Sequence, residues 1–194
     1  MKIIQQSATL LASTPDAEAI IERAGRVCYR SGEPKDPPRF VRMLIARGHE
    51  SVLEHASASL RIITDRAVAN ELERHRLCAF SQRSTRYVRA EELEVVKPEF
   101  PSKHAEEAWR WAMESAEESY RLMLARDCRP EIARSVLPLC LATELVCTAN
   151  LREWRHILRL RLDKAAHPTM RELARLMLAA LRPVALTCFE EFAP

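Results

Sequence analysis

A helix-rich α+β fold is predicted for this chain, built as one domain around a small, mainly antiparallel sheet. Three observations carry the prediction. Apolar residues recur at helical spacing through most of the sequence, whereas period-two alternation is confined to two stretches. The 194 residues, 47% hydrophobic and 29% charged, suffice for one well-packed core and are few for two. The three glycines, Gly25, Gly32 and Gly48, are not clustered, so the glycine loops with which doubly wound and P-loop folds cradle phosphates are absent.

Thr14-Pro15-Asp16 reads as a cap with proline in the first helical turn, and Ile20, Ile21, Ala24, Val27 and Cys28 then carry a first helix to Tyr29. Asp36-Pro37-Pro38 opens a second, with Val41, Leu44 and Ile45 on one face and Gly48 at its end. Leu53 to Ile63 alternates as a half-buried strand should. Asp65 caps a third helix through Leu72, whose C-terminal end delivers Arg74, His75 and Arg76 as cations favoured by the helix dipole. Ser102 to Asp127 is the longest helix, on Ala105, Ala108, Trp109, Ala112, Ala116, Tyr120 and Met123. A short helix over Pro130 to Val136 stops before Pro138, and Leu139 to Ala149, rich in Leu, Val, Thr and Cys, is a strand. Asn150 caps the next helix, which turns Trp154, Ile157 and Leu158 inward. Pro168 to Leu181 forms the last, with Met170, Leu173, Ala174, Met177 and Leu178 as its stripe.

Six cysteines at irregular spacing, without a Cys-x-x-Cys pair, argue for reduced thiols in a cytoplasm rather than disulfides or zinc. The start, Met-Lys-Ile-Ile-Gln-Gln-Ser, lacks the apolar region of a signal peptide, and Val136 to Ala149 is too short to span a bilayer. His49, Glu50, Glu54 and His55 have the wrong spacing for two metal ligands on one helical face, so no metal is expected.

Arg74 to Arg89 sets five arginines, one histidine and three serine or threonine hydroxyls within sixteen positions. Guanidinium groups offer planar bidentate donors to phosphate and keep their charge. The net charge of the whole chain is only +3, so the cluster is local. It can be a solvated basic face, a nucleic-acid contact or a pocket for a phosphorylated small molecule. Nucleic-acid modules spread their basic charge over a face, which favours the third.

The order of residues narrows this further. Arg74-His75-Arg76, seven residues, then Ser84-Thr85-Arg86-Tyr87 resembles the signature of the flavin-dependent thymidylate synthases. Gly48-His49-Glu50-Ser51 with Glu54-His55 is similar to an upstream block of that family, and Ala133-Arg134-Ser135-Val136-Leu137-Pro138 to a downstream one. Asn150-Leu151-Arg152 and Leu160-Arg161-Leu162 match its last polar blocks. The ordered matches reach from Pro15 to Phe189.

The resemblance implies reductive methylation of dUMP to dTMP, with methylenetetrahydrofolate as one-carbon donor, FAD as hydride carrier and NADPH as reductant, in a cytoplasmic homotetramer that binds no nucleic acid and no membrane. By position it implies that Ser51, Arg74, His75, Arg76, Gln82, Asn150, Arg152 and His156 meet FAD. Glu71, Arg74, Gln82, Arg83, Ser84, Thr85, Arg86, Arg134 and Arg161 would hold dUMP, and Arg161 would be the catalytic residue that stabilises negative charge in the uracil ring. Ser84 is assigned to binding, because no neighbouring base would activate its hydroxyl. No cysteine nucleophile is required. Two departures stand out: the chain is shorter than the family around Arg89 to Ser102, and Ala166-His167-Pro168-Thr169-Met170 replaces the usual segment after Asp163. A flavin-binding pseudoenzyme of the same fold and a nucleic-acid module are the competing readings.

Overall fold

The computed structural model describes residues 1–33, 35–86 and 92–192. Six strands and eight α-helices occupy them: β1 Lys2–Ile4, β2 Ser7–Ser13, α1 Ala17–Tyr29, α2 Pro37–Ala46, β3 Ser57–Asp65, α3 Arg66–Leu72, β4 Ala79–Gln82, β5 Glu94–Val96, α4 Lys103–Ala125, α5 Pro130–Ala133, β6 Ala142–Asn150, α6 Leu151–Arg161, α7 Pro168–Leu181 and α8 Leu186–Phe189. Helix dominates, and the strands form a four-stranded sheet ordered β2-β3-β6-β4 and a parallel β1-β5 pair. In that pair Lys2, Ile3 and Ile4 stand opposite Glu94, Val95 and Val96. The architecture is the expected α+β class with a mainly antiparallel sheet.

The chain forms two compact units. One contains Met1–Gln6, Ile63–Leu72 and Ser81–Leu145; the other contains Ser7–Ile62, Glu73–Phe80 and Val146–Pro194. In the first, Leu93, Val95, Met113 and Leu141 form a buried cluster against which Met1, Ile3 and Trp109 pack. In the second, α7 lies on β2, α6 on α7, and α1 on α2. Trp154 is fully buried there and donates its Nε1–H to the Ala58 carbonyl at 3.0 Å, so the indole fills the core without stranding its donor.

The central strands were legible because burial forces their alternation. Ala58, Leu60 and Ile62 of β3 point inward, as do Leu145, Cys147 and Ala149 of β6. On the other face Ser59 and Thr148 share a 2.7 Å hydrogen bond. Asp36, Asp65 and Ser102 are the caps their sequences promise, accepting from the backbone N–H of Arg39, Val68 and Ala105 respectively.

Several expectations need correction. The first helix starts at Ala17, so Pro15 precedes it; Asp16 is the cap residue, with φ 47°, and makes no side-chain cap bond. Residues from Leu53 begin no strand: Glu50–His55 is a 3₁₀-helix that buries Leu53, and only from Ala56, in extended backbone, does the chain lead into β3. Four strands and α8 had no expectation. Three residues in β1, three in β5 and four in β4 are too few to display a period, while the seven of β2 include four exposed ones and so carry no apolar alternation. Trp111 is 71% exposed, which removes the core from the two places expected for it, a core or a subunit contact.

Candidate active site

The arginine-rich segment divides between the two units. In the unit containing α3 and α4, β4 ends at Gln82 and the chain turns through Arg83, Ser84, Thr85 and Arg86. Arg134, at the end of α5, donates from Nη1 to Thr85 Oγ1 at 3.2 Å. Ser84 Oγ accepts the Arg86 N–H at 3.2 Å, which holds the turn closed. A cavity of about 430 Å³ opens here, lined by Arg66, Thr85, Glu131, Arg134 and Ser135 with Leu137, Leu139 and Leu141. That lies within the range of about 300–1,000 Å³ usual for small-molecule sites. Two guanidiniums and two hydroxyls against an apolar wall suit a phosphorylated ligand.

Two residues behave differently from their neighbours. Arg83 turns back on the sheet, its Nη2 donating to the Ala142 carbonyl at 2.8 Å and its N–H to the Glu144 carbonyl at 2.8 Å. Gln82 is half-buried, and its Nε2 is a buried donor without a partner among the described residues. Such a donor costs about 1–3 kcal/mol when left unmatched, and a ligand acceptor would satisfy it. Glu71 closes α3. Arg66 has no counterpart among the expected site residues; the Asp65-Arg66 junction reads in sequence only as a cap. Tyr87, the last residue of the Ser-Thr-Arg-Tyr match, and Arg89 lie outside the described residues.

The second unit gathers Ser51, Arg74, His75, Arg76, Asn150, Arg152, His156 and Arg161. Asn150 caps α6 by accepting the Glu153 N–H at 2.8 Å. From that start, the helix presents Arg152 and His156 on one exposed face, four residues apart. Arg152 pairs with Glu54 at 2.5 Å. Ser51 lies exposed in the 3₁₀-helix that carries Glu54.

His75 lies in the turn after α3, buried to 6% exposure between exposed Arg74 and Arg76. It was expected as a cation at a helix end. The structure corrects this: burial, reinforced by the Arg161 charge and then by His156, lowers its pKa from 6.5 to about 4. The ring is therefore neutral at pH 7. Arg161, the last residue of α6, donates its Nε–H to His75 Nε2 at 3.1 Å. The His156 ring stands edge-on to that of His75, with centroids 5.7 Å apart.

A pH dependence follows, with a definite sign. Between pH 6.5 and about 4 the unfolded chain protonates this histidine while the folded chain does not, so its contribution to stability is complete above 6.5 and declines as the pH falls toward 4. We expect the difference in urea midpoint between the wild type and His75→Gln to narrow on going from pH 7.5 to 5. A constant difference would place the ring's titration elsewhere.

The ligand atoms of His75, Glu153 and His156 lie within 4.8 Å of one another, a spacing that a metal ion could bridge. Residues this far apart in the chain are not brought together by any spacing read above. Arg161 argues against an ion there, because its cationic N–H already occupies a nitrogen of the central ring. Two buried thiols are held away from the thiolate form: a hydrogen bond with Cys78, and then burial, raise the Cys147 pKa, and burial pushes Cys188 to about 12.

A flavin dinucleotide demands cations for its pyrophosphate and, without a glycine loop, these must be side chains. Arg74 and Arg76 fit, being exposed and without an acidic partner among the described residues. The orphaned amide of Gln82 fits as a donor to a ligand carbonyl or phosphate.

Known proteins identify the family. The family model described as thymidylate synthase complementing protein matches residues 9–185. A flavin-dependent thymidylate synthase of Corynebacterium aurimucosum is 33% identical over 91% of this chain and 80% of its own length. Those of Geobacter sulfurreducens and Mycobacterium tuberculosis are each 35% identical, over 95% and 92% of this chain and 86% and 82% of their own. Among solved structures, a UMP/dUMP methylase, PolB from Streptomyces cacaoi bound with 5-Br dUMP, superposes with a TM-score of 0.86 and 25% identity, covering 99% of this chain and 96% of that one. A family match across nearly the whole chain, with the polar residues placed as described, leads to one conclusion: this chain belongs to the flavin-dependent thymidylate synthase family.

Proposed function

We propose that the chain converts dUMP to dTMP by reductive methylation, as one family domain over residues 1–194. The supporting observation is the cavity lined by Arg66, Thr85 and Arg134, two guanidiniums and a hydroxyl beside Glu131, in a chain of this family. Methylenetetrahydrofolate supplies the carbon and NADPH the electrons, so that dUMP, the folate, NADPH and one proton from solvent leave as dTMP, tetrahydrofolate and NADP⁺. FAD, bound between these half-reactions, supplies hydride transfer.

The side chains divide the work. Arg134, Arg86, Thr85 and Ser84 hold the dUMP phosphate by charge-assisted and hydroxyl hydrogen bonds, with Arg66 added to them by its place in the cavity. Glu71, Gln82, Arg83 and Arg74 complete the nucleotide contacts. Arg74, His75 and Arg76, with Ser51, Gln82, Asn150, Arg152 and His156, bind FAD. Arg161 polarises the pyrimidine: its guanidinium stabilises the negative charge that grows on the ring as C5 attacks the one-carbon unit. We further propose a cytoplasmic homotetramer, for which the exposed Trp111 and Leu122 of α4 are candidate subunit contacts. No helix among the described residues is long and apolar enough to cross a membrane.

The decisive assay supplies purified protein with FAD, NADPH, dUMP and methylenetetrahydrofolate and measures dTMP. Flavin binding without dTMP would sink the proposal and leave a flavin-binding pseudoenzyme. Steeply salt-dependent binding to RNA or DNA in preference to dUMP would instead favour a nucleic-acid module. Within the active enzyme, Arg134→Ala should raise the KM for dUMP on the order of 10- to 100-fold, since it removes one charged hydrogen bond to phosphate. Its stability should change little, because Arg134 is exposed and its recorded partner is a hydroxyl. An unchanged KM would remove Arg134 from the site.

A further inference from the structure

Glu153 is not among the expected site residues, yet it is a buried carboxyl group at 6% exposure beside the residues that matter most. Burial raises its pKa, with the His156 and Arg152 charges opposing. A carboxyl group is seldom retained in such a place unless it is hydrogen-bonded or paired. What it faces is the ring of His75: Glu153 Oε1 lies 3.6 Å from Nδ1.

The tautomer of that ring follows from its two neighbours. A nitrogen that accepts the Arg161 Nε–H must be unprotonated, so the neutral ring carries its proton on Nδ1. Nδ1 is the nitrogen directed at Glu153. The opposite tautomer would set two N–H groups against each other at Arg161 and two lone pairs against each other at Glu153. Both neighbours therefore select the same form, in the way that a second partner fixes the tautomer of a metal-bound or catalytic histidine.

The chain order makes the arrangement useful. Glu153 lies in the first turn of α6 and Arg161 is its last residue, so roughly 12 Å of helix rise separates them. The ring from the turn after α3 bridges what the helix alone keeps apart.

We propose that Glu153 is a positioning residue that acts through His75 on Arg161: the carboxyl group fixes the Nδ1–H form of the ring, and the ring fixes the plane of the guanidinium. The proposal rests on the reading of Arg161 as the group that polarises the pyrimidine. Because Nε–H is committed to the ring, any fork that Arg161 turns toward a base is made without it. Orientation of this kind is where small displacements cost most in rate.

Two measurements test it. In protein labelled with ¹⁵N-histidine, the His75 ring, assigned by its loss in His75→Asn, should show a protonated Nδ1 and an unprotonated Nε2 at pH 7. With Arg161 still donating to Nε2, Glu153→Leu should let an Nε2-protonated form appear beside the first, and Glu153→Gln should suppress it in part, since an amide oxygen can face the same N–H. A wild-type ring protonated on Nε2 overturns the proposal whatever the turnover. In dTMP formation, Glu153→Leu should lower kcat on the order of 10- to 100-fold with the KM for dUMP and the bound-flavin spectrum unchanged. The same substitution in an Arg161→Lys background should have no further effect, because both changes break one chain of contacts. Independent, multiplicative losses would overturn it. A wild type that makes no dTMP refutes the parent reading instead, and the ring's tautomer then decides this proposal alone.

Discussion

Arg161→Lys is expected to retain flavin and lose turnover by about 10²- to 10³-fold, the loss typical when one preorganised donor to a developing anion is removed. Lysine keeps the charge, so simple attraction for a phosphorylated ligand survives. It loses the planar fork, and with it the simultaneous capacity to donate Nε–H to His75 and to face a ligand. The fold should tolerate the change: Arg161 is half-buried at the last position of α6, where a cation of either kind suits the helix dipole. Stopped-flow oxidation of reduced flavin with dUMP and methylenetetrahydrofolate would separate the steps. Near-normal dTMP formation in a flavin-loaded Arg161→Lys protein would remove Arg161 from the chemistry. Normal turnover with a raised KM would make it a binding residue only.

How much of this was legible in the sequence depended on how far each residue's role is local. Helices α2, α4 and α6 were readable because their caps and apolar stripes lie within one segment, and α7 because its first-turn proline and apolar stripe do. Strands β3 and β6 were readable because each buries one face along nine residues. Strands β1 and β5 owe their existence to each other across some ninety residues, and three residues apiece hold no period to read. The error at Leu53 has a similar origin. A short run of alternating residues fits a strand, and the 3₁₀-helix over Glu50–His55 is too short to show its own period in sequence.

The site divides in the same way. Arg134 and Thr85, brought to a 3.2 Å contact across 49 residues, could be paired only through an ordered family pattern. Spacing alone left Arg134 as an ordinary helical arginine. Arg66 escaped notice because its neighbour Asp65 explained the local pattern completely as a helix cap. His75 was misjudged for a physical reason. A histidine between two arginines looks like a third cation, but burial costs the charged form more than a helix end returns, and the adjacent Arg161 adds to the cost. Charge state is decided by the environment, which sequence order does not report.

Arg155 was missed for the same reason, and its replacement should produce the largest loss of stability. The side chain is 1% exposed, yet it carries a permanent charge. Three acceptors hold it: Glu191 at 2.8 Å, Glu50 at 3.2 Å and the Cys188 carbonyl. The Phe192 ring lies 5.6 Å from its guanidinium carbon. One residue of α6 thereby ties the 3₁₀-helix of Glu50 and the segment that follows α8 to the helix bearing Arg152, His156 and Arg161. Arg155→Ala removes the fork and leaves a cavity, so a loss of about 3–5 kcal/mol is expected. Arg155→Met restores most of the volume and should lose less. Glu50 and Glu191 keep Arg159 at 3.4 and 3.6 Å, but the Cys188 carbonyl is left without its guanidinium donor. Urea unfolding at fixed protein concentration, which any oligomer requires, should therefore rank the midpoints wild type, Met, Ala. An unchanged midpoint for Arg155→Ala would mean that the buried charge costs as much to desolvate as its partners return. Activity should fall only as far as the folded fraction does, which distinguishes Arg155, a residue that holds the helix in place, from Arg161, a residue that the helix holds in place.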